Sequence, residues 1–268
     1  MFKSIAYVVK ENVKNFYRTF SIAKYELMAE LRDSKFGLFW SFASPAIQIL
    51  TYFLVFGIGM NRRGHEGIPW IPWAVVGFSA WWYARPVIVR GCTAVYSKMN
   101  IITRMKFPIS ILPATLVMKE FFNHLCMLAI TFAMLLVMGF YPNWYWLQLF
   151  YYMICLMLFL ESLTLITSII TMLWRDMKEL VNSLMRLLMY LSPVLWPAMF
   201  EDYPTITFIL KLNPLYYIIT GYRESIFFNV GFWEKPLMTA YFWCSTLVLF
   251  VIGSCLMHRF RHKMVDMI

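Results

Sequence analysis

Arg85, Arg90 and Lys119 are the residues of this sequence whose type and setting could do chemistry, because each interrupts or closes a long apolar run. A Lys or Arg at the depth of a bilayer core costs about 2.5–3.5 kcal/mol on insertion scales, so it needs a partner or water. The chemistry on offer is electrostatic. Lys119 is read either as a structural cation, paired with the adjoining Glu120 or snorkelling, or as a contact to phosphate, and Arg85 and Arg90 admit the same two readings. Acid–base chemistry has thinner support, since Glu120, His124 and Glu161 are its only candidates inside apolar runs. Ser41 and the other serines lack a GxSxG setting. No HExxH, CxxC or His-rich cluster points to a metal. No G-x-x-x-x-G-K-[ST] loop is present to cradle ATP.

A second group of cations lies in one short polar interruption, Ser97 to Pro108, SKMNIITRMKFP. With Arg90 it brings together Lys98, Arg104 and Lys106, and no acid occurs from Lys98 to Pro108. Met99, Ile102 and Met105 recur every three residues as an apolar stripe, which predicts a small helix. Pro108 restricts Phe107 and suits the first turn of a following helix. The stretch is either a solvated connecting loop or a helix that docks on a partner.

The elements that must position these residues follow from composition. The chain is 61% hydrophobic, 19% aromatic and 14% charged, with mean hydropathy +0.62, too apolar for a soluble domain of 268 residues. It reads as an all-α, polytopic membrane protein. The net charge of +10 sits in the flanks of apolar spans, where orientation and anionic lipid explain it, and nucleic-acid binding is disfavoured. Five scattered cysteines form no pair and read as buried apolar side chains.

Residues 1–36 have no uncharged core of signal-peptide length. Val13, Phe16, Tyr17, Phe20, Leu27, Met28 and Leu31 instead predict an amphipathic helix lying in the cytoplasmic interface, or one packed on a partner. Residues 37–268 form a single domain with spans expected over 37–59, 70–89, 108–139, 145–174, 180–197 and 236–257. Trp73, Trp81, Trp82 and Tyr83 crowd the second span, as interface anchors or as rings for stacking on sugars. Residues 201–230, broken at Asn213-Pro214 and Gly221, predict two short helices that dip into the outer leaflet and return. Seventeen cations fall in segments on one side of this plan and five on the other. Six spans with both termini cytoplasmic follow from the positive-inside rule.

FGLFWSFASPAIQILTYFLVFG, the WWY after the first outer loop, MKFPISILPA, Arg175-Asp176, LSPVLWP and LNPLYYIITGYRE occur in that order. Together they resemble the membrane subunits of ABC transporters that export cell-surface polysaccharides, the wall teichoic acid permeases most of all and the O-antigen and capsule permeases beside them. The resemblance covers about residues 25–257. It implies a plasma-membrane homodimer of six-span subunits, each bound to a separate cytosolic ATPase that holds ATP and Mg, with no cofactor on this chain. It implies a coupling helix at 97–107, with Lys98, Met99, Ile102, Arg104, Met105 and Phe107 facing the ATPase. Residues 201–230 would be the outer gate, involving Pro193, Asn213, Pro214, Tyr216, Tyr217 and Arg223. The substrate it implies is a lipid-linked anionic glycopolymer, for whose diphosphate Arg85, Arg90 and Lys119 are the candidate contacts, with Trp73, Trp81, Trp82 and Tyr83 along the channel. Two other classes are an integral-membrane enzyme acting on lipid-linked sugars and a secondary transporter. The latter would carry corresponding broken helices in two half-chains, and no such repeat is visible.

Overall fold

A computed structural model describes residues 2–59, 64–65, 67–99, 107–195 and 203–260. The chain begins with two helices, α1 (Phe2–Lys14) and α2 (Phe16–Asp33), where the sequence predicted one. Asn15 makes the break: its backbone leaves the helical region and its amide donates back to the Glu11 carbonyl. α1 packs on the last helix of the chain and α2 on α5 (Ile111–Val137). Leu27, Met28 and Leu31 are half-buried, whereas Val13, Phe16, Tyr17 and Phe20 face outward.

α3 (Phe39–Tyr52) continues as a π-helical turn over Phe53–Gly59 and contributes no buried residue to the bundle. α4 (Trp70–Gly91) is its opposite, with 16 of its 22 residues buried. It lies among α5, α6 (Gln148–Leu173) and α7 (Met177–Leu191). Gly139, at φ +86°, takes the left-handed conformation that closes α5. Asn143 then accepts from the Tyr145 amide at 2.9 Å and opens the 3₁₀ turn that leads into α6.

Beyond α7 come α8 (Pro204–Lys211) and α9 (Pro214–Arg223), then a π turn over Glu224–Phe228 and the last helix, α10 (Pro236–Phe260). Proline opens α8, α9 and α10, where a missing N–H costs nothing. Asn213 caps α9 by accepting from the Leu215 amide at 3.0 Å. Asn229, left-handed at φ 55°, ends the π turn.

Among the described residues, four helical stretches are long and apolar enough to cross a bilayer: Phe39–Gly59, Ile111–Val137, Trp144–Leu173 and Pro236–Phe260. α4 has the length, about 33 Å at 1.5 Å per residue, but its Trp, Tyr and Pro residues lower its hydropathy. α7, expected as the fifth span, has 15 residues, about 22 Å of helix against a hydrocarbon core of about 30 Å. Only Val181 and Met185 of α7 are buried. Residues 100–106, and with them Ile102, Arg104 and Met105 of the expected coupling helix, lie outside the described residues, as do residues 201–202 of the expected gate.

Candidate functional site

Two of the three cations singled out in the sequence are paired. Lys119, 7% exposed at its side chain, donates to Glu30 of α2 at 2.6 Å and stands 3.9 Å from Glu120. Arg90, at the end of α4, donates to the buried Glu120 at 2.6 Å and lies 4.0 Å from Glu30. Asn123, one turn further along α5, donates to the other Glu120 oxygen at 3.0 Å. Lys98 pairs with Glu26 at 2.5 Å. Two cations thus meet two carboxylates where α2, α4 and α5 converge, which is how buried charge is ordinarily tolerated.

Arg85 is different. Half-buried on α4, it faces a cavity of about 600 Å³ between α3, α4 and α7, and no carboxylate among the described residues is within ion-pair distance. Trp82 lines the same cavity. Trp73, Trp81 and Tyr83 are buried in the core. The Tyr83 hydroxyl donates to the Val117 carbonyl, and its ring stacks on His124 at 4.9 Å.

At the other end of α4, the wholly buried Arg223 projects from α9 into backbone carbonyls. Its Nε donates to Trp73 O at 3.1 Å, Nη2 to Val194 O at 2.7 Å and Nη1 to Pro193 O. The guanidinium also sits 4.2 Å from the centre of the Trp73 ring. Gly77 makes room: a Cβ there would meet Arg223 Nη2 at 2.3 Å. Of the residues expected at the gate, Pro193 and Arg223 meet here. Asn213 donates to Ser192 Oγ at 3.0 Å, Pro214 opens α9, and Tyr217 bonds to Tyr151 and Thr239. Tyr216 packs half-buried against the main core.

Of the expected coupling residues, Lys98 closes a 3₁₀ turn over Tyr96–Lys98. Met99 and Phe107 pack against a cluster of Val8, Val95, Ile109, Leu112, Leu165, Ile169 and Met257. Arg175, at the end of α6, lies 5.4 Å from the Tyr96 ring centre and ties that turn to a second helix.

Sequence reasoning missed Glu26 and Glu30 as partners. Their spacing of four residues, which places both on one face of α2, was the available signal. It also missed Tyr222, whose hydroxyl meets His124 Nε2 at 3.0 Å with the two rings nearly parallel. His124 lies one turn beyond Glu120, and Tyr222 precedes Arg223. α5 therefore spans the distance from the charge network to the α9 hairpin. Among the described residues, no group of His, Cys, Asp and Glu could hold a metal ion.

The family described as "ABC-2 type transporter" matches residues 17–227. The O-antigen export system permease protein RfbA of Myxococcus xanthus is 27% identical over 237 residues, which is 87% of this chain and 89% of that protein. A Klebsiella pneumoniae protein of the same name is 23% identical over 250 residues, 92% of this chain and 93% of its own length.

Proposed function

The chain belongs to the ABC-2 type transporter family, and on that premise we propose that it is the permease subunit of a polysaccharide export system. It is a transport subunit rather than an enzyme, as its named relatives are. The observation that carries the export reading is the end-to-end match, 89–93% of each relative's length, to permeases named for O-antigen export. The finer reading is ours. Two copies of the chain, each with six spans and both termini cytoplasmic, move a lipid-linked anionic glycopolymer, wall teichoic acid or a related polysaccharide, across the plasma membrane. A separate cytosolic subunit binds ATP and Mg and docks at residues 97–107, and the α8–α9 hairpin serves as the outer gate.

The geometry suits that division. The docking stretch joins α4 to α5, the helices that share the ion network with α2. A push delivered between them reaches α9 through His124 and Tyr222. The short α7 fits a span closed at the turn over residues 192–195, where Arg223 is anchored. The test is reconstitution of the purified chain with and without its ATP-binding partner in vesicles loaded with lipid-linked polymer. ATP hydrolysis and polymer movement are expected only with both subunits present. Hydrolysis by the isolated chain, or polymer movement independent of ATP, overturns the reading.

A further inference from the structure

Four side chains beside the α8–α9 hairpin form one continuous hydrogen-bonded chain. The Trp243 indole of α10 donates to the Tyr151 hydroxyl of α6 at 3.0 Å. Tyr151 lies 3.2 Å from the hydroxyl of Tyr217 on α9, and Tyr217 lies 3.0 Å from Thr239 Oγ1, back on α10. Thr239 in turn meets the carbonyls of Phe232 and Lys235 at 3.0 and 3.1 Å. The protons available fix the direction of every link. Carbonyls only accept, so the single Thr239 proton goes to them, and Tyr217 must donate to Thr239. That commits the Tyr217 proton, so Tyr151 must donate to Tyr217. The other end demands the same order, because an indole N–H only donates and Tyr151 must accept it. Links polarised in one sense strengthen one another, and cutting one weakens the rest.

Both ends of the chain belong to α10 or to the stretch just before it, and Thr239 and Trp243, four residues apart, share a helix face. α10 thereby grips α9 at Tyr217. It also reaches the turn between α8 and α9, where the Tyr241 hydroxyl donates to the Leu212 carbonyl at 2.6 Å. Tyr217 comes six residues before Arg223, about 9 Å along α9 and about 120° around it, so the two residues fasten different sides of the helix. The fastenings differ in kind. Arg223 is wholly buried and its bonds to carbonyls are charge-assisted. The links of the chain are neutral, and Tyr151, Thr239 and Trp243 are half-buried, so water can take over their hydrogen bonds at small net cost.

We propose that this chain is a latch on the α8–α9 hairpin. When made, it holds the hairpin against α6 and α10; when broken, the hairpin swings about the Arg223 anchor and the exit opens. The proposal rests on the permease reading, in which the hairpin is the outer gate, and names the contact that regulates it.

The experiment is hydrogen–deuterium exchange of the permease–ATPase complex in lipid nanodiscs, read by mass spectrometry in the peptides of α9. Tyr217→Phe removes one hydroxyl and keeps the ring that packs on Phe242 at 5.0 Å. Without nucleotide it is expected to speed exchange in α9 several-fold over wild type, while peptides holding Trp73 and Val194 stay unchanged. Thr239→Val should do the same, and Thr239→Ser, which keeps the hydroxyl, should match wild type. The double variant Tyr217→Phe/Thr239→Val should exchange little faster than either single one, because both cut one chain. During ATP turnover, α9 of the wild type should rise toward the level that Tyr217→Phe shows at rest. Wild-type exchange in both Tyr217→Phe and Thr239→Val, faster exchange spread equally over α4 and α9, or no rise in an exporting wild type during turnover overturns the latch. Thr239→Val and Thr239→Ser carry the test if Tyr217→Phe fails to assemble. Polymer export is measured beside it: no export by the wild-type complex removes the permease reading, whereas the resting exchange, taken without ATP or polymer, decides the latch separately.

Discussion

Lys119 and Arg223 are both buried cations, and the protein holds them in opposite ways. Lys119 is neutralised by carboxylates, one of them on a helix 89 residues earlier in the chain. Arg223 has no acid within ion-pair distance among the described residues and is met by three backbone carbonyls and the Trp73 ring. Carbonyls that leave helical geometry around Pro193 must be satisfied by something, and a guanidinium with five donors answers several at once. The Lys119 contact joins α2 to the bundle through a glutamate whose side chain is 51% exposed. The Arg223 contact fixes the break between α7 and the hairpin from inside. Water reaches the first and not the second.

The largest effect expected from this contrast is at Arg223. Arg223→Ala leaves the Pro193 and Val194 carbonyls without their donor, and a buried acceptor left unsatisfied costs about 1–3 kcal/mol. The thermal unfolding midpoint of the purified complex should fall markedly. Arg223→Lys should lie between, since an ammonium cannot span the three carbonyls. Melting of Arg223→Ala within a degree or two of wild type would show that this anchor is dispensable.

Lys119 comes next. Lys119→Met leaves Glu120 with Arg90 and Asn123, and lets the half-exposed Glu30 hydrate, so the cost is about 1–2 kcal/mol. Glu30→Gln should cost more than Lys119→Met, because it leaves the buried Lys119 ammonium with only the Glu120 carboxylate at 3.9 Å. In a double-mutant cycle the two should couple, because they remove one contact. Additive losses in that cycle would mean that the Lys119–Glu30 contact does not hold α2.

Between the two centres, Tyr222→Phe removes one hydrogen bond to His124 and keeps the stacked rings. About 1 kcal/mol of stability is at stake, but transport should suffer more than stability if α5 conveys movement to the hairpin. Stability and ATP-driven export are compared at matched expression. A loss of export no greater than the loss of folded complex would remove the conveying role.

Local signals survive the passage from sequence to structure best. Asn213-Pro214 opens α9, and the polar interruption at Asn143 falls at the turn between α5 and α6. The break at Asn15 was hidden, because Asn within an otherwise continuous amphipathic pattern reads as a surface residue until its amide is seen bonded to the Glu11 carbonyl. Arg223 counts among the cations of the outer loops, in the segment expected to form the gate, but its partners are carbonyls, and a carbonyl leaves no trace in residue type. Lys119 was legible as needing an acid. The adjacent Glu120 was the visible choice, while the shorter contact is to Glu30, since helix packing and not sequence distance decides which carboxylate arrives. Arg85 was grouped with Arg90 and Lys119, and only the lining of its cavity separates it from them.

The smallest effect is expected at Lys98. Its pair with Glu26 has the same short geometry as the Lys119–Glu30 contact, 2.5 Å against 2.6 Å, yet Lys98 is 35% exposed and Lys119 7%. Water and salt screen the first pair, and such surface contacts are worth at most about 1 kcal/mol. Lys98→Ala should therefore shift the unfolding midpoint barely, and raising the salt concentration should erase even that difference while leaving the Arg223 variants as impaired as before. If the ATPase docks at the proposed stretch, its attachment should depend on other residues there. Ile102→Ala and Met105→Ala remove apolar anchors and should lower copurification of the ATP-binding subunit several-fold, whereas Lys98→Ala removes a rim charge and should hold it near the wild-type level. Copurification at two salt concentrations reads both effects at once. A Lys98→Ala complex that falls apart while the Ile102 and Met105 variants stay intact would reverse the assignment and make the stretch an electrostatic contact rather than an apolar one.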